Sequence, residues 1–130
     1  MTHVPSDFSY SRDHEWVQSL DNGRVRVGIT DYAQKRLGDL VWVRLPEVGS
    51  SWEAGDNFSL VESVKSLIEL YMPVAGTIAA VNESLADTFG PDQISDDPYG
   101  DGWIAEVKVA NATDLQALLT PAQYKDLIGQ

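Results

Sequence analysis

The amino-acid sequence predicts a mainly β fold with a few short helices. Residues alternate between apolar and polar from Arg24 to Ile29, which is typical of a half-buried strand. Further along, two extended runs are separated by only four small or polar-leaning residues, and this spacing predicts a hairpin. Two capping boxes near the end of the chain predict short helices packed against a β core. Because 43% of the 130 residues are hydrophobic, the chain has enough apolar side chains to form that core.

The first strands are expected on either side of Asn22-Gly23, because this pair favours tight hairpin turns. Glu15-Trp16-Val17 leads into the turn, and the alternating run from Arg24 leads out of it. Thr30 is expected to cap a short helix that Gly38 ends. The Val- and Trp-rich residues that follow Gly38 predict another strand.

The central hairpin is expected between strands at Phe58–Glu62 and Leu67–Tyr71. Ser63–Ser66 joins these two runs, so Lys65 should lie at or beside the tip. Residues 82–102 show no clear hydrophobic period and carry six acidic residues but no basic one. We expect them to form a long irregular segment.

The C-terminal region is expected to be a strand followed by two short helices. Trp103–Val109 alternates as a strand does. Capping boxes begin at Thr113 and at Thr120, the second with Pro121 at the first helical position.

The length of the chain is that of one small domain. We expect a single domain over residues 1–130, with the core at about 8–110 and the C-terminal helices at about 111–129. The chain has no cysteine, so disulfides, zinc ribbons and protein thiol chemistry are excluded.

The charge balance also excludes classes of partner. Nine basic and twenty acidic residues give a net charge of −11, which repels nucleic-acid backbones and anionic lipids. No apolar run approaches the ~20 residues that span a bilayer, and the first residues do not resemble a signal peptide. We therefore expect a cytoplasmic protein that binds neither nucleic acid nor membranes.

Catalytic and metal-binding patterns are missing from the sequence. It contains no nucleophile elbow, zinc-protease motif, phosphate-binding glycine loop or dinucleotide fingerprint. His14 and Glu15 are adjacent, but neighbouring strand residues point to opposite faces, so His14 is expected to be a surface histidine. Asp96-Asp97 is a weak candidate for a cation site. We expect no catalytic residues and no specific metal site.

Lys65 is isolated among acidic residues. Between Arg44 and Lys108 it is the one basic residue, against twelve acidic ones. This is consistent either with a chance lysine on a solvated acidic face or with a lysine presented for recognition or modification. An exposed lysine on a tight turn suits the attachment of a carried group, since carriers such as biotin and lipoamide need a mobile tether on a rigid base.

The residues around Lys65 resemble a known motif. Phe58–Lys65, which reads FSLVESVK, closely resembles the lipoylation motif of the glycine cleavage system H protein family. The resemblance continues in family order through the segments His14–Val17, Val27–Gln34, Leu37–Asp39, Leu45–Gly49, Tyr71–Gly76, Val81–Leu85 and Asp97–Trp103. It covers roughly residues 8 to 128, nearly the whole chain.

This resemblance implies a flattened β barrel or sandwich of the lipoyl-domain type. It also implies that lipoate is attached covalently to Lys65, with the attachment motif including Glu62, Ser63 and Val64. Residues that would contact the loaded arm are Glu15 and, less strongly, Glu69, which stands where the family usually has aspartate.

The function implied is that of a carrier rather than an enzyme. Such a carrier shuttles an aminomethyl group and then reducing equivalents in glycine cleavage. Its implied partners are glycine decarboxylase, aminomethyltransferase, dihydrolipoyl dehydrogenase and the lipoate ligase or octanoyltransferase that loads it. We expect a monomer.

Other functions remain open at this point. Ser66-Leu67-Ile68 and Met72 stand where the family commonly has small or polar residues. H-like lipoate-binding proteins that carry sulfur for a heterodisulfide-reductase-like complex are therefore an alternative. A structural β domain with unmodified Lys65 is a second alternative. A biotin carrier is a third, although it would normally show Met-Lys-Met at the tip.

Overall fold

Two antiparallel sheets make up the computed structural model, which describes residues 2–130. Within this range the strands are β1 (Ser9–Tyr10), β2 (Glu15–Ser19), β3 (Arg24–Ile29), β4 (Leu40–Arg44), β5 (Ser51–Trp52), β6 (Asn57–Ser63), β7 (Leu67–Tyr71), β8 (Gly76–Val81) and β9 (Ala105–Val109). The larger sheet has the order β1-β2-β3-β9-β8-β5, and the smaller has the order β4-β6-β7.

The hydrophobic core lies between the two sheets. Val27 and Val107 from the larger sheet belong to the same buried cluster as Phe58, Val61 and Leu70 from the smaller sheet. Each sheet buries one face and leaves the other to solvent, as antiparallel sheets commonly do. The predicted mainly β, flattened sandwich is confirmed.

The β2–β3 hairpin forms as the sequence predicts. Asn22 and Gly23 both adopt positive φ values, 63° and 73°, in the tight turn. On β3, Val25, Val27 and Ile29 are buried, while Arg24 and Arg26 lie on the other face. The period-two pattern therefore identified both the strand and its buried face.

The helices of the structure are short. They are α1 (Asp31–Leu37), α2 (Asp92–Asp96) and α3 (Pro121–Leu127), together with 3-10 helices at Glu83–Ala86 and Ala112–Ala117. None of those within residues 2–130 is long and apolar enough to cross a membrane.

Helix α1 begins and ends where the sequence predicts. The Thr30 hydroxyl accepts a hydrogen bond from the backbone N–H of Ala33 at 3.2 Å, which caps the first turn. Gly38 follows the last turn with φ 78°, a conformation that favours glycine. At this glycine the chain changes direction before β4 begins. Gly38 also lies beside the central hairpin.

The expectation of irregular structure over residues 82–102 is wrong in part. One 3-10 helix and α2 lie in this segment, and each buries one apolar residue, Leu85 and Ile94 respectively. Elements of four or five residues complete about one turn, which is too short to produce a hydrophobic period in the sequence.

The predicted capping box at Thr113 is also wrong, whereas the box at Thr120 forms. The Asn111 side chain accepts the Thr113 N–H at 3.1 Å and so caps a 3-10 helix from outside the predicted box. The Thr113 hydroxyl donates to the same Asn111 oxygen at 2.8 Å. Asparagine caps as well as threonine does, and here it lies earlier in the chain.

Candidate functional site

The candidate site is the tip of the β6–β7 hairpin. Val64, Lys65 and Ser66 form the turn, and the Ser63 N–H donates to the Ser66 carbonyl at 2.7 Å to close it. The structure therefore confirms that Lys65 lies on a tight turn between two strands.

The hydroxyl of Ser63 organises this turn. It accepts hydrogen bonds from the N–H groups of Ser66 at 3.0 Å and Lys65 at 3.3 Å, and it donates to the Ser66 carbonyl at 3.1 Å. Ser63 itself is buried. One small side chain thus satisfies backbone groups that the turn leaves unpaired, which makes the turn a rigid base.

The tip is also tied to the residues that follow α1. The Val64 N–H donates to the Asp39 carbonyl at 3.0 Å. A Cβ on Gly38 would lie 3.5 Å from Cε of Lys65, so the lysine side chain extends over this glycine.

The amine of Lys65 is free to react. The side chain is exposed, and no carboxylate within residues 2–130 forms an ion pair with it. Glu62, three residues earlier, is half-buried on β6 and forms no ion pair with Lys65. The arrangement fits an acceptor for a covalent group, because the backbone is fixed while the amine is accessible.

A cleft of about 450 Å³ lies beside the hairpin. One wall is β7, and the other comes from α1 and the turn before β2. The residues that line it are Arg12, Asp13, His14, Tyr32, Ala33, Arg36, Leu37, Ser66, Ile68, Glu69 and Tyr71. Most of these residues are distant in sequence, and most carried no sequence signal that could identify them.

The two predicted arm-contacting carboxylates occupy different environments. Glu69 lines the cleft, is exposed, and accepts a hydrogen bond from the Tyr71 hydroxyl at 3.0 Å. Glu15 is only 1% exposed and lies behind Tyr71 rather than on the cleft surface. Of these two carboxylates, Glu69 is the one that a group in the cleft can reach directly.

Glu15 links the start of β2 to the end of β7. Its carboxyl group is hydrogen-bonded to the Ser11 hydroxyl at 2.5 Å and accepts the Tyr71 N–H at 3.2 Å. Burial raises the pKa of Glu15 to about 8, despite these two hydrogen bonds. The group is therefore mostly protonated and neutral at pH 7.

His14 is not the surface strand residue that the sequence predicted. It has φ 69°, lies before β2, and its Nδ1 is 2.9 Å from the hydroxyl of Tyr124 on α3. The same hydroxyl is 2.7 Å from Thr30 Oγ1. Burial lowers the pKa of His14, which favours the neutral ring. His14 thus joins the cleft wall to the C-terminal helix, and no contact with Glu15 makes it an acid–base pair.

The burial of Glu15 predicts a pH dependence of folding. The folded state keeps a proton that the unfolded chain releases above pH 4.5, the ordinary pKa of this group. Protonation of Glu15 therefore contributes fully to the stability of the folded state below pH 4.5, and this contribution is lost as pH rises through about 8. Relative to Glu15→Gln, we expect the wild-type free energy of unfolding to fall by roughly 3–5 kcal/mol across this window, because one pKa unit corresponds to ~1.4 kcal/mol.

Urea unfolding of the two proteins at several pH values measures this difference. Glu47→Gln, which changes an exposed carboxyl outside the cleft, is the matched control and should retain the wild-type slope. Parallel curves for wild type and Glu15→Gln would contradict the assignment.

Comparisons with known proteins agree with this geometry. The family model for the glycine cleavage H-protein matches residues 8–130. Glycine cleavage system H proteins from Chromohalobacter salexigens and Opitutus terrae are 46% and 45% identical to this chain. The alignments cover 98% and 99% of this chain and 96% and 100% of the relatives, respectively. The crystal structure of a glycine cleavage system H protein from Mycobacterium marinum superposes with a TM-score of 0.85 at 41% identity, covering 98% of this chain and 100% of that one. The chain belongs to the glycine cleavage H-protein family.

Proposed function

We propose that this chain is a lipoyl carrier of glycine cleavage, with lipoate in amide linkage to Lys65. The observation that carries the proposal is the free, exposed amine of Lys65 on a hairpin tip whose backbone is held by hydrogen bonds. Family membership indicates lipoate as the cofactor, and the geometry of the turn supports Lys65 as its attachment site.

A lipoyl group bound there would supply a disulfide that accepts an aminomethyl group and later yields reducing equivalents. The chain's own residues hold the base of the arm, leave its length free to move, and provide a surface against which it can fold. The arm, estimated as about ten bonds in an extended chain, reaches roughly 12–14 Å. The cleft, which includes Ser66, lies well within this reach.

The chain carries the group, and the chemistry belongs to its partners. We propose that glycine decarboxylase, aminomethyltransferase and dihydrolipoyl dehydrogenase act in turn on the arm. A lipoate ligase or octanoyltransferase attaches it. The sulfur-carrying alternative has no support, since the relatives reported above are named for glycine cleavage.

The cleft carboxylates suit a cationic group at the end of the arm. An amine that enters the cleft can reach the exposed Glu69 before the buried Glu15. Glu15 becomes available only if the amine displaces the Tyr71 N–H, and pairing would then require the Glu15 proton to leave. We therefore expect Glu69 to make the first contact and Glu15 to strengthen binding once it ionises.

The attachment site can be tested with the lysine variants. Lys65→Ala should abolish the addition of one lipoyl group by lipoate ligase, because no other lysine lies on this turn. Lys108→Ala, which removes an exposed lysine from β9, is the matched control and should be modified as the wild type is. Intact-mass spectrometry measures both. Modification that persists in Lys65→Ala would show that another lysine is the acceptor.

The cleft carboxylates should control the lifetime of the aminomethyl-loaded form. Glu69→Gln should shorten it by up to about 5-fold, since an exposed ion pair contributes ~0–1 kcal/mol. Glu15→Gln should shorten it as well, and both variants should still accept lipoate. Release of formaldehyde and ammonia from the loaded protein measures the lifetime, with Glu47→Gln as the control. A lifetime equal to that of the wild type would show that the altered carboxylate does not stabilise the aminomethyl-loaded form.

A further inference from the structure

Exposed apolar side chains surround the base of Lys65. Val41, Trp42, Val64 and Leu67 are 48%, 49%, 70% and 50% exposed, respectively. We call these four residues the apolar collar. They lie on or beside the turn of the hairpin, and exposed apolar side chains that cluster in this way commonly mark an interaction surface.

The strand register places two of the collar residues on one face. Trp42 of β4 and Leu67 of β7 are both directly opposite Glu62 of β6, one on each side. Directly opposite residues point to the same face of a sheet, and neighbouring strands are ~4.8 Å apart. Trp42 and Leu67 therefore stand about 10 Å apart across three strands.

The remaining two collar residues complete this surface. Val64 precedes Lys65 in the turn, and its N–H is bonded to the Asp39 carbonyl. Val41 lies two residues after Asp39, at an irregularity in the pairing of β4 with β6 between Leu40 and Trp42. A bulge of this kind re-aims side chains, and it leaves both Val41 and Trp42 exposed.

Distance from Lys65 distinguishes the partners that must cover the collar. The bare amine lies ~6 Å from the Cα of Lys65, estimated as five bonds in an extended side chain. An enzyme that acylates this amine must therefore bring its active site down to the collar. Enzymes that act on the far end of the arm work roughly 12–14 Å away and can do so without covering it.

The charges around the collar indicate what kind of partner surface would fit it. Glu62 and Asp39 border the collar, and the side chain of Arg44, the basic residue of β4, is hydrogen-bonded to Asn57. A complementary surface is apolar at its centre and basic at its rim. Apolar anchors surrounded by a polar rim are the usual anatomy of a specific interface.

Resting on the proposed function, we propose that the apolar collar is the docking surface for the enzyme that acylates Lys65, with Trp42 and Leu67 as its main anchors. In that reaction the Lys65 nitrogen forms an amide bond with the carbonyl carbon of lipoyl adenylate. The bond from that carbon to the phosphate oxygen breaks, AMP leaves, and the amine gives up a proton.

Initial rates of lipoylation test the proposal on the full, unmodified chain, with a bacterial lipoate ligase, free lipoate and Mg-ATP. Trp42→Ala and Leu67→Ala should each lower kcat/KM by about 3–10-fold and the double variant by about 20–100-fold, because interface anchors commonly contribute 1 kcal/mol or more. The loss should lie mainly in KM. Added salt should raise the wild-type KM, because the rim is charged.

Two variants serve as controls. Val48→Ala removes a side chain that is 61% exposed but lies beyond the opposite end of β4, and it should change kcat/KM by less than about 2-fold. Trp42→Phe keeps an aromatic ring and should stay within about 3-fold of the wild type. Equal urea midpoints for all variants exclude loss of folding as the cause.

The possible results separate this inference from the proposed function. Unchanged kcat/KM in the double variant overturns the inference alone. Normal lipoylation combined with impaired loading by glycine decarboxylase also overturns it, since the collar then belongs to that partner. A wild-type chain that accepts no lipoyl group overturns the proposed function and the inference together.

Discussion

The structure depends on a hairpin turn whose backbone is fully held while its lysine is left free. The Ser63 hydroxyl makes three hydrogen bonds within the turn, and the Val64 N–H ties the turn to Asp39. A carried group needs a fixed base, because the position of its attachment determines which sites its arm can reach. It also needs an amine that is not held in an ion pair. Lys65 meets this condition although the chain has a net charge of −11.

Hydrogen bonds around the cleft connect the hairpin to the rest of the fold. Glu15 joins β2 to β7 from behind the cleft, and His14 joins the cleft wall to α3 through Tyr124. Because the buried Glu15 is neutral at pH 7, the exposed Glu69 is the one of these two carboxylates that can pair directly with an arriving cation. A positive charge beside Glu15 would favour its ionisation at pH 7 by offsetting the cost of its burial.

Local signals in the sequence predicted the parts of the fold that neighbouring residues determine. The alternation on β3, the Asn22-Gly23 turn, the Thr30 cap and the Lys65 hairpin are of this kind, and each forms as predicted. The Thr113 box failed because Asn111 offered an equivalent cap two residues earlier. Single-turn helices between residues 82 and 102 were missed because one turn has no period to detect.

The candidate site was predictable at Lys65 and not in the cleft. Lys65 is marked by its isolation among acidic residues and by the motif around it. Tyr32, Arg36 and Tyr71 line the same cleft only because α1 and β7 lie on either side of it, and no local pattern in the sequence indicates that arrangement. The burial of Glu15 and the placement of Trp42 and Leu67 on either side of Glu62 likewise follow from tertiary packing and register.

If this chain carries the arm of glycine cleavage, it should support the complete reaction. The measurement is glycine-dependent formation of NADH in a reaction reconstituted from purified glycine decarboxylase, aminomethyltransferase, dihydrolipoyl dehydrogenase, tetrahydrofolate, NAD+ and this chain. We expect NADH formation that requires the lipoylated chain and is absent with the unlipoylated one. A fully lipoylated chain that supports no glycine-dependent NADH, when another H protein does so in the same mixture, would contradict it.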